Sequence, residues 1–356
     1  MEKAYQYDFE LGSPLGVQKW DVGAKEDTRL KRSLTLKAKV ALSVAFVITV
    51  LVVTVIVVCF VMRTTEKDQW LPEFDSPSRL GRYECAAVST DAAPCAPIGR
   101  DILAKNGSVV DAVIAVLLCM GVVNPQSCGL GGGFLMMYYN RTLGRAFYLD
   151  AREVAPAKAN ATMFHGNASL AQHGGLSIAV PAEVAGYYAA HENFGVLPWE
   201  DLFPPAIKMC EEGLRVNFHL ANALKRYSET IKKFEHIRKI FVSHETGEVL
   251  QLNDTYTRPD LAKTLRVLAN EKMNALYGDG SLAKSFLADL KAAGSIIDES
   301  DMRRYAPRFL EPVQKGLRDN VTLYSTSLPG SGMLLAFMLG VLDGFDDINC
   351  ETRKDK

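Results

Sequence analysis

The stretch that decides the fold, residues 124–156, reads N-P-Q-S-C-G-L-G-G-G-F-L-M-M-Y-Y-N-R-T-L-G-R-A-F-Y-L-D-A-R-E-V-A-P. An apolar helical segment leads into a turn with four glycines in five residues, and two aromatic-rich strands follow. Glycine is favoured where the backbone takes a positive φ or passes close to other backbone. The second strand ends near Asp150, Arg152 and Glu153. An arginine at that position can hold a carboxylate with its two-pronged guanidinium.

Two helices are predicted ahead of this stretch. Residues 94–105 show a helical pattern that stops at Asn106. Ser108 suits the cap position of a second helix over 109–123, with Asp111 supplying negative charge near its amino end. Because this second helix is apolar nearly all round, yet too short to span a bilayer, we predict that it is buried in the core.

Strand and helix patterns continue on both sides. The runs at 134–139 and 146–149 predict a hairpin, and C-A-A-V-S at 85–89 suits a short buried strand. A second hairpin is predicted at 312–317 and 321–325. Further helices are predicted at 183–193, 199–212, 217–232, 259–269, 281–293 and 333–342, with another strand at 176–180.

Composition argues for a membrane and against a nucleic-acid partner. The 356 residues are 48% hydrophobic with a formal net charge of −1, so no basic surface is predicted. Residues 40–62 form an uncharged run of 23, and a helix of that length spans the roughly 30 Å hydrocarbon core of a lipid bilayer. A buried core helix and a cleaved signal peptide are the alternatives. The run lies too far from Met1, and is too long, for a signal peptide, so we predict a membrane anchor.

The charges that flank this run predict its orientation. Its amino-terminal side carries Lys25, Arg29, Lys31, Arg32, Lys37 and Lys39. By the positive-inside rule, residues 1–39 form a cytoplasmic tail and the chain is a single-pass type II protein. Residues 63–83 then form a stalk, 84–345 a globular ectodomain, and 346–356 a polar tail.

Features of a lumenal or extracellular domain lie beyond the anchor. Six glycosylation sequons occur there, at Asn106, Asn140, Asn160, Asn167, Asn253 and Asn320. Six of the seven cysteines also lie there: Cys85, Cys95, Cys119, Cys128, Cys210 and Cys350. An oxidising compartment permits disulfides, but six cysteines allow 15 pairings, and spacing alone leaves all of them open.

Several classes of active site lack their sequence patterns. Neither H-E-x-x-H nor a paired C-x-x-C occurs, so no metal site is predicted, and the six histidines are expected on the surface or in loops. The glycines at 129–133 follow a helix and precede a strand, which reverses the order in phosphate-binding turns. No G-x-S-x-G nucleophile elbow occurs either.

The best remaining candidate is the run D-A-R-E at 150–153. Arg152 can hold a substrate carboxylate, or it can form an ordinary ion pair with Asp150 or Glu153. Spacing alone favours the ion pair, because such pairs are common at strand ends.

These residues belong to a longer series of motifs. The series comprises P-C-A-P-I-G-R-D-I-L at 94–103, N-G-S-V-V-D-A-V-I-A-V-L-L-C at 106–119, G-L-G-G-G at 129–133, D-A-R-E-V-A-P at 150–156, A-T-M-F at 161–164, G-G-L-S-I-A-V-P at 174–181 and L-P-W at 197–199. Over residues 85–345 the chain resembles, in order and without large gaps, the large subunit of γ-glutamyltransferases, also called glutathione hydrolases. The predicted anchor and sequons match the animal members of that family.

The resemblance implies a fold and a reaction. The fold is α+β, an N-terminal-nucleophile hydrolase with two β-sheets sandwiched between helical layers. A precursor of this family cuts itself into a large and a small subunit, and the new N-terminal threonine attacks the γ-glutamyl amide of glutathione or a related compound. Water, an amino acid or a dipeptide takes the glutamyl group, and no cofactor is expected. The arginine of the D-x-R-E motif, here Arg152, binds the α-carboxylate of that group.

The resemblance also implies a disulfide between Cys95 and Cys119. Cys85 and Cys128 have no counterpart in the family pattern. Because they flank the same pair of helices, we expect them to form a second bridge.

Part of the family's sequence pattern does not occur between Met1 and Lys356. The nucleophilic threonine of a T-T-H-like segment and the oxyanion-hole residues of the small subunit are missing, so the expected sandwich lacks its small-subunit half. One interpretation is a truncated version of an active enzyme. The alternative is a catalytically inactive type II membrane glycoprotein with a binding or regulatory role. The predicted location is the plasma membrane with an extracellular ectodomain, or retention in the endoplasmic reticulum if the truncated chain is a real product.

Overall fold

The structure is a computed structural model that describes residues 36–65 and 81–345. The chain divides into two compact units, residues 1–82 and 83–356. Most of the predicted tail at 1–39, most of the predicted stalk at 63–83, and the predicted C-terminal tail at 346–356 lie outside the described residues.

The first unit contains helix α1 (Leu36–Thr65). This helix covers the uncharged run at 40–62 and extends past it at both ends, so the predicted helix is confirmed. Its side chains over residues 43–58 are exposed. Among the described residues, no helix combines the length and the apolar character that crossing a membrane requires.

The second unit is built around two helices, α2 (Ala96–Ala104) and α3 (Val109–Val123), which pack together. Ser108 caps α3 by accepting a hydrogen bond from the Asp111 backbone N–H. The Asp111 side chain in turn accepts one from the Ser108 N–H, which completes a capping box. Eleven of the 15 residues of α3 are buried, so the predicted core helix is confirmed.

Antiparallel pairing organises the strands of this unit. They are β1 (Phe134–Asn140), β2 (Arg145–Ala151), β3 (Leu214–Arg215), β4 (Thr255–Tyr256), β5 (Arg308–Leu310), β6 (Val313–Gly316) and β7 (Thr322–Ser325). They form a three-stranded sheet in the order β1-β2-β5 and two-stranded sheets β3-β4 and β6-β7. Both predicted hairpins, β1-β2 and β6-β7, are confirmed.

The remaining helices cover the sheets and α3. They are α4 (Glu183–Phe194), α5 (Pro204–Glu212), α6 (Phe218–Arg226), α7 (Ser228–Lys233), α8 (Glu235–Phe241), α9 (Pro259–Glu271), α10 (Asn274–Tyr277), α11 (Ala283–Ala292), α12 (Glu299–Arg304) and α13 (Gly332–Asp343). Helix α3 contacts α2, α4 and α5, and α5 packs on α9. The unit is therefore α+β. With described sheets of only three, two and two strands, a two-sheet sandwich is not complete within residues 81–345.

Two strand predictions are wrong. Residues 85–89 lie in an irregular, mostly exposed segment, because no described strand runs beside them to complete their backbone hydrogen bonds. The predicted strand at 176–180 contains instead a short 3₁₀ turn, Gly175–Ser177, and one isolated bridge from Val180 to Val154.

Two helix predictions are too long. The helix predicted at 199–212 is interrupted at Phe203, and α5 begins at Pro204, whose ring suits a first helical position. The helix predicted at 217–232 breaks at Tyr227 into α6 and α7. Short elements such as β5 and α12 carry too few residues to show a period in the sequence.

The cysteines form one bridge among the described residues. Cys95 and Cys119 are fully buried and joined, with an S–S distance of 1.93 Å, so they link the start of α2 to the last turns of α3. The expected bridge between Cys85 and Cys128 is wrong, since both are free thiols. Cys85 lies on an exposed segment, whereas the Cys128 thiol faces the Asn124 carbonyl 3.9 Å away.

Asp111 does more than cap α3. Its fully buried carboxylate also accepts hydrogen bonds from the backbone N–H groups of Val196, at 2.9 Å, and Leu197, at 3.1 Å. His191 of α4 lies beside these hydrogen bonds. Its Nε2 donates to the Leu197 carbonyl at 2.8 Å, and its ring packs against Trp199. His191 is therefore a largely buried helix residue, contrary to the surface or loop location expected for the histidines.

Candidate functional site

The carboxyl end of β2 carries the D-A-R-E run, and the sheet register determines where its side chains lie. Asp150 pairs with Leu135 on β1 and with Arg308 on β5. Its buried carboxylate accepts a hydrogen bond from the Arg308 guanidinium at 2.5 Å and another from the Arg152 backbone N–H at 3.1 Å. The partner of Asp150 is therefore Arg308, a residue 158 positions away, and not the Arg152 side chain.

The Arg152 guanidinium is left largely available. Its side chain is 52% exposed, and its recorded charged contact is to Glu153, with Nε 3.4 Å from Oε2. That contact does not have the geometry of a hydrogen bond, and Glu153 Oε2 is therefore buried without a hydrogen-bond partner. The Glu153 side chain is partly buried and its contact with Arg152 lacks a hydrogen bond, so a carboxylate with better geometry can compete for this arginine.

The Arg152 backbone, in contrast, is held from two sides. Its N–H donates to Asp150, and its carbonyl accepts a hydrogen bond from the Tyr305 hydroxyl at 3.0 Å. Burial, with the negative charges of Asp150 and Glu153, raises the pKa of Tyr305, so the hydroxyl keeps its proton. A fixed backbone under a free guanidinium is a suitable arrangement for binding a carboxylate.

The glycine turn (residues 129–133) packs directly against this strand end. A Cβ on Gly133 would lie 2.5 Å from the Ala151 carbonyl oxygen and 2.9 Å from Glu153 Oε2, so no larger residue fits there. The Gly132 carbonyl accepts hydrogen bonds from the N–H groups of Ala182 and Glu183, both at 2.9 Å. These close approaches leave no room for a side chain at Gly133 and little at Gly132, so the turn packs tightly between α3 and the first strands.

A second carboxylate, Glu183 at the start of α4, lies behind the glycine turn. It is 4% exposed, and its Oε2 is 3.0 Å from where a Cβ on Gly132 would be. Glu183 accepts a hydrogen bond from the buried Tyr187 hydroxyl. Burial raises the pKa of Glu183 to about 7, the Glu153 charge adds to the rise, and the Tyr187 hydrogen bond opposes it. This carboxyl therefore changes charge near neutral pH.

The described residues offer little for other chemistries at this site. The nearby thiol, Cys128, has its pKa raised to about 11 by burial and by the Glu183 charge, so it is a poor nucleophile at neutral pH. Across residues 36–65 and 81–345, no group of three or more His, Cys, Asp or Glu side chains is placed to hold a metal. What the site can do with its own residues is bind and orient an anionic group.

The geometry coincides with a match to a known family. A family model described as gamma-glutamyltranspeptidase matches residues 95–356. The chain belongs to the gamma-glutamyltranspeptidase family. Among its curated relatives, Scoloptoxin SSD14 of Scolopendra dehaani is 43% identical over 270 residues, covering 76% of this chain and 47% of the relative. Glutathione hydrolase 5 proenzyme of Rattus norvegicus is 38% identical over 279 residues, covering 78% of this chain and 48% of the relative.

A solved structure of a family member shares the fold. The crystal structure of Helicobacter pylori gamma-glutamyltranspeptidase matches with a TM-score of 0.71 at 29% identity, covering 75% of this chain and 77% of that chain. The α+β fold of the N-terminal-nucleophile hydrolase type expected from the sequence is therefore confirmed. The chain spans about half the length of the two curated relatives described above.

The sequence does not reveal several residues of this candidate site. Arg152 and the glycine turn were singled out, and the structure brings them together. The roles of Glu183, Arg308 and Tyr305 were not foreseen, because nothing in their own neighbourhoods in the sequence shows that they face β2. The disulfide lies elsewhere, on α2 and α3, and five of the six sequon asparagines are exposed, with Asn140 partly buried.

The pH dependence of stability offers a test of the Glu183 environment. An ordinary glutamate has a pKa near 4.5, so between about pH 4.5 and 7 the folded chain binds more protons than the unfolded chain. Stability should therefore fall as pH rises through this range, by about 3 kcal/mol in total. Replacing Glu183→Gln should remove most of that fall, measured by urea unfolding of the full chain followed by circular dichroism.

A matched control for this test lies on the same helix. Glu192 is exposed near the end of α4, so Glu192→Gln should leave the pH dependence unchanged. An unfolding free energy that falls equally in wild type and Glu183→Gln would show that the Glu183 carboxyl does not titrate in this way.

Proposed function

We propose that this chain is the large-subunit part of a membrane-anchored γ-glutamyltransferase, or glutathione hydrolase, that cleaves the γ-glutamyl amide of extracellular glutathione. The glutamyl group would pass to water, an amino acid or a dipeptide. The observation that carries this proposal is the exposed, weakly paired guanidinium of Arg152 on a backbone held by Asp150 and Tyr305.

Arg152 would hold the α-carboxylate of the glutamyl group through two parallel N–H···O bonds. Because its backbone is hydrogen-bonded on both sides, this contact would determine where the γ-amide of the substrate lies. The contact with Glu153 is made through Nε, so the terminal guanidinium nitrogens are the ones assigned to the substrate. The nucleophilic threonine and the oxyanion donors would come from the small-subunit half of the family chain.

The surface around α13 supports the proposal that such a half covers this chain. The helix packs on β6 and β7 through one side and exposes the rest. Exposed apolar side chains near and along it are Leu328, Met333, Leu334, Phe337, Met338, Val341, Leu342 and Phe345. An apolar patch of this kind on a secreted domain needs a partner to cover it.

The membrane anchor and the glycans are proposals from the sequence. The uncharged run at 40–62, with its basic amino-terminal flank, is typical of a type II anchor. An ectodomain outside the cell is compatible with exposed sequon asparagines such as Asn106 and Asn253. Alkaline carbonate extraction should leave the chain in the membrane pellet, and glycosidase treatment should lower its mass. A soluble chain of unchanged mass would contradict both.

The catalytic proposal is tested by comparing two products. The 356-residue chain alone should give no release from a chromogenic γ-glutamyl anilide above background, because the proposal assigns the nucleophilic threonine to the small-subunit half. Transcripts should then be sequenced beyond Lys356 for an in-frame Thr-Thr-His segment. A longer protein that contains this segment should hydrolyse the γ-glutamyl anilide.

The alternative function is an inactive membrane glycoprotein that binds γ-glutamyl compounds or a partner. The low reactivity of the Cys128 thiol is consistent with it. It would be favoured if no transcript carried the Thr-Thr-His segment and the chain nevertheless reached the cell surface. Clear turnover by the 356-residue chain would contradict the assignment of the nucleophile to the other half.

A further inference from the structure

A cavity lies beside the glycine turn and is lined by residues of α3 and α9. Its volume is about 430 Å³. Its apolar walls come from Leu117, Leu118, Val122, Pro125, Leu261 and Leu265. The polar side chains that line it are Arg258, Glu183 and Tyr187, while neither Arg152 nor Asp150 reaches it. A mostly apolar cavity of this size with a few polar groups is typical of small-molecule sites.

Arg258 is the feature of the cavity that the fold does not explain. Its Nε is buried without a hydrogen-bond partner, and one guanidinium nitrogen lies 3.4 Å from the Gly121 carbonyl. No carboxylate among the described residues forms an ion pair with it. Burial lowers the pKa of Arg258, but an arginine stays charged at neutral pH. Arg258 as a whole is only partly buried, so an anion that enters the cavity can reach its guanidinium and supply the missing counter-charge.

Capping of α3 accounts for only part of the position of Arg258. The neighbouring carbonyls at the end of α3 are already satisfied, since Val122 accepts from the Tyr256 hydroxyl at 3.0 Å and Val123 accepts from Asn217 at 3.3 Å. The single contact to Gly121 is long for a hydrogen bond. Capping through the Gly121 carbonyl does not require the Arg258 side chain to line the cavity, which it nevertheless does.

The charge and the apolar character of the residues that line the cavity determine which ligand it can bind. One cation matches one negative charge, and Glu183 in the same cavity disfavours phosphates or dicarboxylates. The remaining surface is leucine, valine and proline, which suits an aliphatic chain. We propose that this cavity binds a small aliphatic monocarboxylate, with the carboxylate on Arg258 and the hydrocarbon tail among the leucines of α3 and α9.

The proposal is tested on the full chain with sodium hexanoate as the probe. Hexanoate should give saturable binding by ligand-observed NMR. The uncharged analogue 1-hexanol has the same chain length and should bind at least about tenfold more weakly. The variant Arg258→Gln should lose about tenfold or more in hexanoate affinity. The control Arg266→Gln removes an exposed arginine from the same helix, ion-paired to Glu211, and should bind like wild type.

A second variant keeps the test decisive if Arg258→Gln fails to fold. Leu261 is only partly buried on the cavity wall, so Leu261→Trp fills the space while Arg258 and its charge remain. Hexanoate binding should be lost in Leu261→Trp as well. The proposal is overturned if wild type shows no saturable binding of hexanoate, if 1-hexanol binds equally well, or if a folded variant of either kind binds hexanoate like wild type.

Discussion

Replacing Asp111→Ala should lower the unfolding free energy of the second unit by about 4 kcal/mol, which is a large fraction of the 5–15 kcal/mol typical of a domain. The change removes the capping box of α3 and leaves the buried N–H groups of Val196 and Leu197 without their acceptor. Each such loss costs about 1–3 kcal/mol. Thermal unfolding of the full chain should shift down by about 10 °C.

Asp101 offers the matched control for this variant. It is an exposed aspartate on the neighbouring helix α2, paired only with Arg100 at 2.7 Å. Asp101→Asn should change the unfolding free energy by less than about 0.5 kcal/mol. If Asp111→Ala were as stable as this control, the hydrogen bonds from residues 196 and 197 to Asp111 would not contribute to stability.

Replacing Arg152→Ala in a catalytically active, in-frame longer product should weaken γ-glutamyl donor binding about a hundredfold, because two charge-assisted hydrogen bonds are lost. Stability should change little, since the side chain is 52% exposed and only weakly paired. Self-cleavage should be largely intact, because the guanidinium is assigned to the substrate and not to the fold. The measurements are donor KM, unfolding free energy and the extent of subunit formation on gels.

Two further variants sharpen the Arg152 test. Arg152→Lys keeps the charge but loses the two-pronged geometry, so it should recover only part of the donor affinity. Arg145→Gln removes an exposed arginine from the other end of β2, whose pair with Glu311 is 3.5 Å long, and should leave KM unchanged. Unchanged donor affinity in Arg152→Ala would show that Arg152 is only the surface ion pair with Glu153.

Short-range signals predicted much of this fold correctly. Helix α3 begins at its predicted residue because Ser108 and Asp111 are three positions apart, and a capping box needs nothing else. The β1-β2 hairpin follows from two aromatic-rich runs and a turn in which Gly144 has φ +59°. These signals act over a few residues, so they can be read without knowing the rest of the chain.

Contacts between distant residues were not predictable in the same way. Strand β5 has three residues and exists because it pairs with β2, and the segment 85–89 has strand-like residues but no described strand beside it. Glu183 was placed on a helix correctly, yet its elevated pKa depends on burial behind the glycine turn. Burial and pairing are properties of the assembled chain, so composition does not reveal them.

For the D-A-R-E run itself, the sequence established the residue types, the strand end and, through the motif series, the family. Spacing left Arg152 undecided between a substrate carboxylate and an ion pair with Asp150 or Glu153. The tertiary structure excludes Asp150 as the side-chain partner of Arg152, because the Asp150 carboxylate binds Arg308, which is 158 residues away in the sequence. Arg308 neutralises Asp150, so the Arg152 side chain keeps its weak contact with Glu153, and the Arg308–Asp150 pair depends on the pairing of β5 with β2.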